Sequence, residues 1–366
     1  MRGGGAMSQD KPGITSIERL VDSLPAQEKA LFHRLYAVNG GGGGLKLPEG
    51  MQSWARKQFG SLEAVTGQKI VRITNRITLE ESIFNPLRGL RPGEARQTGR
   101  LEEQLKEAKK TDIFAKPREM TPENSFGRVT GKHCITASNV AKYEGLHGLV
   151  IFNEFHPLKF SREQVVDYID TAWEWAGKAH QENPAAKYFF LTWNCLWRAG
   201  ASIYHGHAQV SLASGRHYAK IEALRRLAGG YRQRYDSSYF DDLFNVHRSL
   251  GCAAVANGVR VLAHLTPFKD NELVIIGKEL NLSFKETIYE ILAFFRDGLG
   301  VKSFNLSLVT PPLSPTEESW QGFPVLCRLV DRGSLESQTS DVGGVEIYAA
   351  SVVSSDPFEL AAKLRN

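Results

Sequence analysis

The chain has 366 residues, 42% hydrophobic and 23% charged, which suits a soluble globular protein of two units, or one duplicated unit, and excludes extensive disorder away from the ends. Its 45 basic and 40 acidic residues give a formal charge of +5, a mild excess that favours small anionic ligands and lacks the basic, aromatic-interleaved stripe of a nucleic-acid binder. Cys134, Cys195, Cys252 and Cys327 form no CxxC pair, and no apolar run makes a signal segment or reaches the roughly 20 residues of a membrane span, so a cytoplasmic protein without disulfides, membrane or nucleic-acid partner is expected.

From Ser16 to about Val38, Ile17, Leu20, Val21, Leu24, Leu31 and Leu35 recur at helical spacing, with Pro25 dividing two short helices. Gly40 to Gly44 has no following Gly-Lys-Ser/Thr and no preceding strand, so it reads as a flexible linker rather than a phosphate loop. Val71 to Ile83 reads as extended, and about Gly99 to Lys110 as a charged helix. From Gly127 onward short β-rich runs, Arg128–Ala137, Gly148–Phe152, Tyr188–Thr192 and Ala208–Leu212, alternate with helices. One of these, near Glu163 to Gln181, places Val165, Val166, Ile169, Ala172, Trp173 and Ala176 on one face. The fold class is α+β with a largely antiparallel sheet. Three regions are expected: an N-terminal extension over 1–70, a first half over 71–215 and a second over 216–366.

Leu149-Val150-Ile151, Leu158 and Phe160 recur 124 residues on as Leu273-Val274-Ile275, Leu282 and Phe284. Each copy leads into an amphipathic helix and then a strand. After the first copy the chain reaches His205-Gly206-His207-Ala208-Gln209; the second copy has no such histidines. Two related halves, one chemically equipped, are the economical reading.

An isolated His-x-His on a strand is usually structural, since alternation sends both rings to one face. Here Asn194, Gly200 and Ser202 precede it in the order Asn-(x5)-Gly-x-Ser-x-x-His-x-His-x-Gln. This block resembles galactose-1-phosphate uridylyltransferases and the diadenosine tetraphosphate and sugar-nucleotide phosphorylases, a branch of the histidine-triad (HIT-like) superfamily. The resemblance spans about Phe84 to Arg365. It implies a duplicated HIT-like fold, with an antiparallel sheet and packed helices in each half, acting as a homodimer on nucleotides.

In such an enzyme His207 is the nucleophile, and a neutral imidazole splits a difficult displacement between two anions into two easier ones. One of its ring nitrogens must keep its lone pair while the other is held, usually by a main-chain carbonyl in this family. His205 would support the geometry, and Ser202 and Gln209 would donate to phosphate oxygens. Gln209 replaces the third histidine of the hydrolase branch and cannot do its acid–base work, which favours transfer over hydrolysis. The resemblance further implies substrate contacts at Asn194, Gly200, Asn139, Arg88 and Glu346. Asn139 stands at the ribose-contacting turn, with a turn-capping role as the alternative. Arg88, Arg91 and Arg76 are candidates for the nucleotide phosphates or, equally, solvated surface arginines.

The sequence also departs from the family. The zinc-binding cysteine pair is replaced by Asp112-Ile113-Phe114-Ala115-Lys116-Pro117, and the His-x-His of a second metal site appears as Leu306 and Leu308. The usual ligands of zinc or another divalent metal are therefore not evident, and such a metal, held by scattered His and Cys residues, stays open as an alternative to a site without a cofactor. Glu346 matches an acid that helps bind the hexose phosphate, but Val345 replaces its tyrosine. The expected activity is transfer of a nucleoside monophosphate from a nucleotide-sugar or dinucleoside polyphosphate to phosphate or a sugar phosphate. A nucleotide hydrolase and a non-catalytic nucleotide-binding protein are the rival readings.

Overall fold

The computed structural model describes residues 12–90, 101–337, 340 and 342–365. Pro25 caps the second of two helices, α1 (Ile17–Asp22) and α2 (Ala26–Leu35), which bury Ile17, Val21, Phe32 and Leu35. The glycine run after them is no linker: it belongs to β1 (Tyr36–Gly44). Helices α3 (Glu49–Phe59) and α4 (Leu62–Thr66) lead to β2 (Gly67–Asn75), and β1 pairs with β2 antiparallel from Tyr36 opposite Asn75 to Gly44 opposite Gly67. A ladder is made of main-chain bonds, so a partner strand holds a segment that has no side chains to pack. β2 also crosses the boundary expected at residue 70, so the N-terminal region is not separate from the first half.

The extended stretch expected over 71–83 is a hairpin. β2 turns at Asn75, with Leu79 at a φ of 60°, into β3 (Glu81–Phe84). The charged helix is α5 (Leu101–Ala108), followed by the short α6 (Pro117–Met120); Gly99 lies outside the described residues, as does Arg91.

The rest of the chain contributes β4 (Cys134–Ser138), β5 (Leu146–Phe152), α7 (Arg162–Glu182), β6 (Ala186–Asn194), β7 (His207–Ser214), α8 (Ala219–Tyr235) and α9 (Tyr239–Ser249). β8 (Ala253–Ala256), β9 (Val259–Ala263), β10 (Leu273–Gly277), α10 (Leu282–Ala293), β11 (Phe304–Val309), β12 (Val325–Asp331), α11 (Val345–Tyr348), β13 (Ser351–Val353) and α12 (Pro357–Arg365) complete it. β13 pairs parallel with β3 and closes a four-stranded sheet with β1 and β2. No helix among the described residues is long and apolar enough to cross a membrane.

The main sheet has nine strands in the order β4-β5-β7-β6-β11-β12-β10-β9-β8, its ladders antiparallel. β4-β5-β7-β6, from one edge, and β9-β10-β12-β11, inside the other edge strand β8, are the same arrangement run inward and fused where β6 meets β11. The chain is therefore duplicated. α7 and α10 pack together on one face of the sheet. Ser161 caps α7 in a capping box with Gln164, and Asn281 caps α10. The buried face of α7 carries Val165, Tyr168, Ile169, Ala172, Trp175 and Ala176; Trp173, expected there, is exposed.

The sequence match at 124 residues is nevertheless out of phase with the structure. A Cβ on Gly148 would meet Trp175 of α7, and one on Gly277 would meet Phe284 of α10, so residues 148, 150 and 152 and residues 273, 275 and 277 face the helices. Successive strand residues alternate faces. Leu149 therefore lies on the open face, whereas Leu273, its supposed equivalent, lies under the helices. Leu306 and Leu308, read as standing at the His-x-His of a second metal site, are core residues on β11, the counterpart of β6.

The second half also buries two neutral histidines. His247 donates from Nδ1 to the Leu243 carbonyl (2.7 Å) and accepts at Nε2 from the Leu265 N–H (3.1 Å). Burial, with the nearby His264 charge, lowers its pKa to about 3, and burial lowers that of His217 to about 4. Between these values and about 6.5 the unfolded chain binds more protons than the folded one, so the neutral rings stabilise the fold fully above pH 6.5 and progressively less as pH falls. Lowering the pH from 7 to 4 is expected to remove on the order of 5 kcal/mol of stability. Urea titrations of wild type and His247→Gln at the two pH values check this, and an equal acid loss in the variant would rule out His247 as a source.

Candidate active site

β6 ends at Asn194, and the chain returns into β7 through a tight crossover. Leu196 stands at φ 65°, ψ 175°, a region almost reserved for glycine, and its carbonyl accepts the N–H groups of Ala199 (3.1 Å) and Ala201 (3.2 Å). The 3-10 turn Trp197–Ala199 then closes on Gly200 at φ 89°. The second half secures this turn. Asn305 of β11 donates from Nδ2 to Asn194 Oδ1 (2.7 Å) and to the Ala199 carbonyl (2.8 Å), and Arg332 donates to Asn305 Oδ1. Asn194 and Gly200, expected at the substrate, thus help shape this turn.

Gly206 brings the chain against Phe152. An added Cβ would lie 2.7 Å from the Phe152 ring and 3.2 Å from the Glu154 carbonyl. The Phe152 carbonyl in turn lies 2.7 Å from His205 Nε2. Gly206→Ala is therefore expected to destabilise the protein by about 1–3 kcal/mol and to displace the His205 ring. A urea melt checks the first effect, and an unchanged midpoint would disprove the close approach.

His205 and His207 project to the open face with Gln209, away from α7. The His205 ring is buried between two acceptors, with Nδ1 2.7 Å from Asp112 Oδ2 and Nε2 on the Phe152 carbonyl. The His207 ring donates from Nδ1 to the His205 carbonyl (2.8 Å), which leaves the lone pair on Nε2. Burial, reinforced by the adjacent His205 charge, lowers the His207 pKa and keeps the ring neutral near pH 7. Phe114 stands edge-on to both imidazoles.

Gln209 is oriented from β5. The Tyr143 N–H approaches His147 Nδ1 (3.4 Å), so Nε2–H of His147 donates to Gln209 Oε1 (3.0 Å) and leaves the Gln209 NH2 group free to point at a ligand. Burial lowers the His147 pKa as well, so this ring too is neutral. Asn139 Nδ2 lies 3.2 Å from the same His147 nitrogen, and Asn139 Oδ1 caps the turn by accepting from the Ala141 N–H (3.1 Å). From Gln209 a polar row crosses the join between the halves through Thr192 and Ser307 to Arg328, each directly opposite the next.

The structure thus brings His205, His207, Gln209 and Asn139 together. Ser202 is exposed on the crossover loop. Arg88 is exposed on the 3-10 turn Pro86–Leu90 beside the four-stranded sheet. Arg76 donates from Nη1 to the His33 carbonyl (2.8 Å) in the last turn of α2. Glu346 is paired with the buried Lys269 (2.6 Å) on α11. Asp112 and Phe114, which stand in the sequence where the family has its zinc-binding cysteine pair, join the site with His147, although the contacts they make carry no sequence signal. Nothing local announces them, because Asp112 meets His205 across 93 residues of chain and His147 meets Gln209 across 62.

No protein-family model and no curated protein matches the chain. Solved structures do. An ADP-glucose phosphorylase from Arabidopsis thaliana with bound ADP-glucose is similar with a TM-score of 0.61 at 15% identity, over 80% of this chain and 97% of that one. A GalT-like protein from Arabidopsis thaliana gives 0.57 at 15% identity, over 70% and 92%. A uridylyltransferase gives 0.54 at 13% identity, over 67% and 87%. At such identities the likeness speaks for the fold alone, and it agrees with the strand order and the paired helices: this chain shares the α+β fold of the ADP-glucose phosphorylase, GalT-like protein and uridylyltransferase structures.

Proposed function

We propose that the protein is a nucleotidyltransferase or phosphorylase that works through a nucleotidyl-histidine at His207, in two displacements. In the first, the His207 Nε2 lone pair attacks the α-phosphorus of a nucleotide-sugar or dinucleoside polyphosphate. A P–N bond forms, and the P–O bond to the leaving sugar phosphate or nucleotide breaks with its electron pair. In the second, an oxygen of phosphate or a sugar phosphate attacks the same phosphorus and returns the electron pair to Nε2. One observation carries the reading: the His205 carbonyl holds Nδ1–H and presents Nε2 as the nucleophilic nitrogen of a neutral ring. The reading includes a cytoplasmic, homodimeric enzyme, and the four buried free thiols suit a reducing compartment.

Gln209 is assigned to the non-bridging phosphate oxygens through the NH2 group that His147 aims. Gln209→Ala is expected to slow adduct formation by about 100-fold with little change in the half-saturating donor concentration. Rapid-quench single turnovers read both quantities; a pure affinity loss would instead make Gln209 a ground-state contact.

The deciding experiment is intact-protein mass spectrometry after incubation with UDP-, ADP- and GDP-linked donors. A gain of one nucleoside monophosphate is expected, discharged by phosphate or a sugar phosphate. Discharge by water alone would mark a hydrolase, and nucleotide binding without adduct or turnover a non-catalytic protein.

A further inference from the structure

Asp112 stands where a purely structural acid is hard to sustain. Its side chain is 4% exposed and that of His205 5%, and they meet at 2.7 Å. A carboxylate this far from water persists only where its oxygens are bonded. Each is: Oδ1 accepts the Phe114 N–H (2.9 Å) and Oδ2 faces His205 Nδ1. The first bond fixes Phe114, whose ring packs T-shaped against both imidazoles. The second fixes His205, whose carbonyl holds His207 Nδ1–H at 2.8 Å.

Resting on the reading of His207 as nucleophile, we propose that Asp112 is the positioning residue of this site, bracing the His205 ring so that the His205 carbonyl holds His207 with Nε2 available for attack.

The brace takes the place of a metal. Both His205 nitrogens already face oxygens, so ligating a cation would break one of those contacts. Among the described residues no group of three or more His, Cys, Asp and Glu side chains is placed to hold a metal ion. The nearby Cys134 bonds Thr171 on the helix face, and its thiol is pushed up to about 12 by burial. The donor set does not fit zinc, and the Asp112 carboxylate holds the ring together with the Phe152 carbonyl.

The test compares wild type, Asp112→Ala and Asp112→Asn; the asparagine keeps an acceptor oxygen at the same point and covers the case in which the alanine protein fails to fold. Two readouts are taken: the single-turnover rate of adduct formation with UDP-, ADP- and GDP-linked sugars, and the slowly exchanging His207 Nδ1–H proton in 15N-histidine NMR. In the alanine variant the rate is expected to fall about 100-fold, with the half-saturating donor concentration within about threefold of wild type, and the proton signal to disappear. Asparagine should restore the signal and about tenfold of the rate. An alanine variant with the signal intact and the rate within about threefold overturns the proposal, as does a folded asparagine variant that restores neither. Loss of the wild-type signal on dialysis against EDTA would assign the brace to a metal and overturn it too. If wild type forms no adduct with any donor, the functional reading falls, and the NMR arm still decides whether Asp112 holds the ring.

Discussion

Replacing His207 with alanine is expected to abolish both half-reactions, with turnover reduced on the order of 10⁴-fold or more and no nucleotide adduct. The expectation is steep because no other described group near this ring offers the same combination. His205 has both nitrogens engaged, and His147 spends Nε2–H on Gln209 and Nδ1 on a main-chain N–H. Stability should change much less, since the imidazole makes one main-chain bond and lies at the margin of the core. Single-turnover mixing with each donor, followed by peptide mapping of the wild-type adduct, makes the check. An alanine variant that keeps more than about 1% of activity, or an adduct that maps to His205, would end the case for His207.

Arg328→Met is expected to cost about 3 kcal/mol of stability, the lower part of the range for breaking a buried ion pair, because the arginine itself is partly exposed. Its Nε donates to Glu272 Oε1 (2.7 Å) and its Nη1 to Glu80 Oε1 (2.6 Å). The Glu272 side chain is wholly buried, and Glu80 immediately precedes β3, so the one guanidinium ties the four-stranded sheet to the nine-stranded one. Methionine fills much of the volume and leaves Glu272 with the Phe268 N–H (2.6 Å) as its remaining bond outside the arginine. Adding Glu272→Gln should recover part of the loss in a urea double-mutant cycle. A single-variant effect under about 0.5 kcal/mol would show that the pair is idle. Burial alone would raise the Glu80 pKa, but the Arg328 and His264 charges outweigh it and the net shift is downward. Its contribution is therefore present above the unfolded carboxylate pKa and is lost as pH falls through the folded one.

Much of the site was legible because its residues are close in sequence. Strand alternation alone puts His205, His207 and Gln209 on one face, and Pro25 marks a helix boundary through its missing N–H. The duplication was legible too, but its register was not. Apolar triplets such as Leu149-Val150-Ile151 look alike from either face of a strand, and only the packing of Trp175 on Gly148 and Phe284 on Gly277 distinguishes them. The strand character of Gly40 to Gly44 resides entirely in its partner β2. The sequence marks Asp112 only as part of the segment in place of a cysteine pair, and its partner His205 is set by the fold. Trp173 and Trp175 differ by two positions on α7, about 200° around the helix, which is enough to exchange core for solvent.

The seam at which β6 pairs with β11 makes the equipped half non-portable. A fragment ending near residue 215 would present the β6 edge, with its row of unpaired main-chain groups, to any other strand in solution. It would also lose Asn305 and Arg332, and with them the clamp on the turn that leads to His207. The second half, which has no His-x-His of its own, therefore serves as the mount that keeps the turn before His207 in shape.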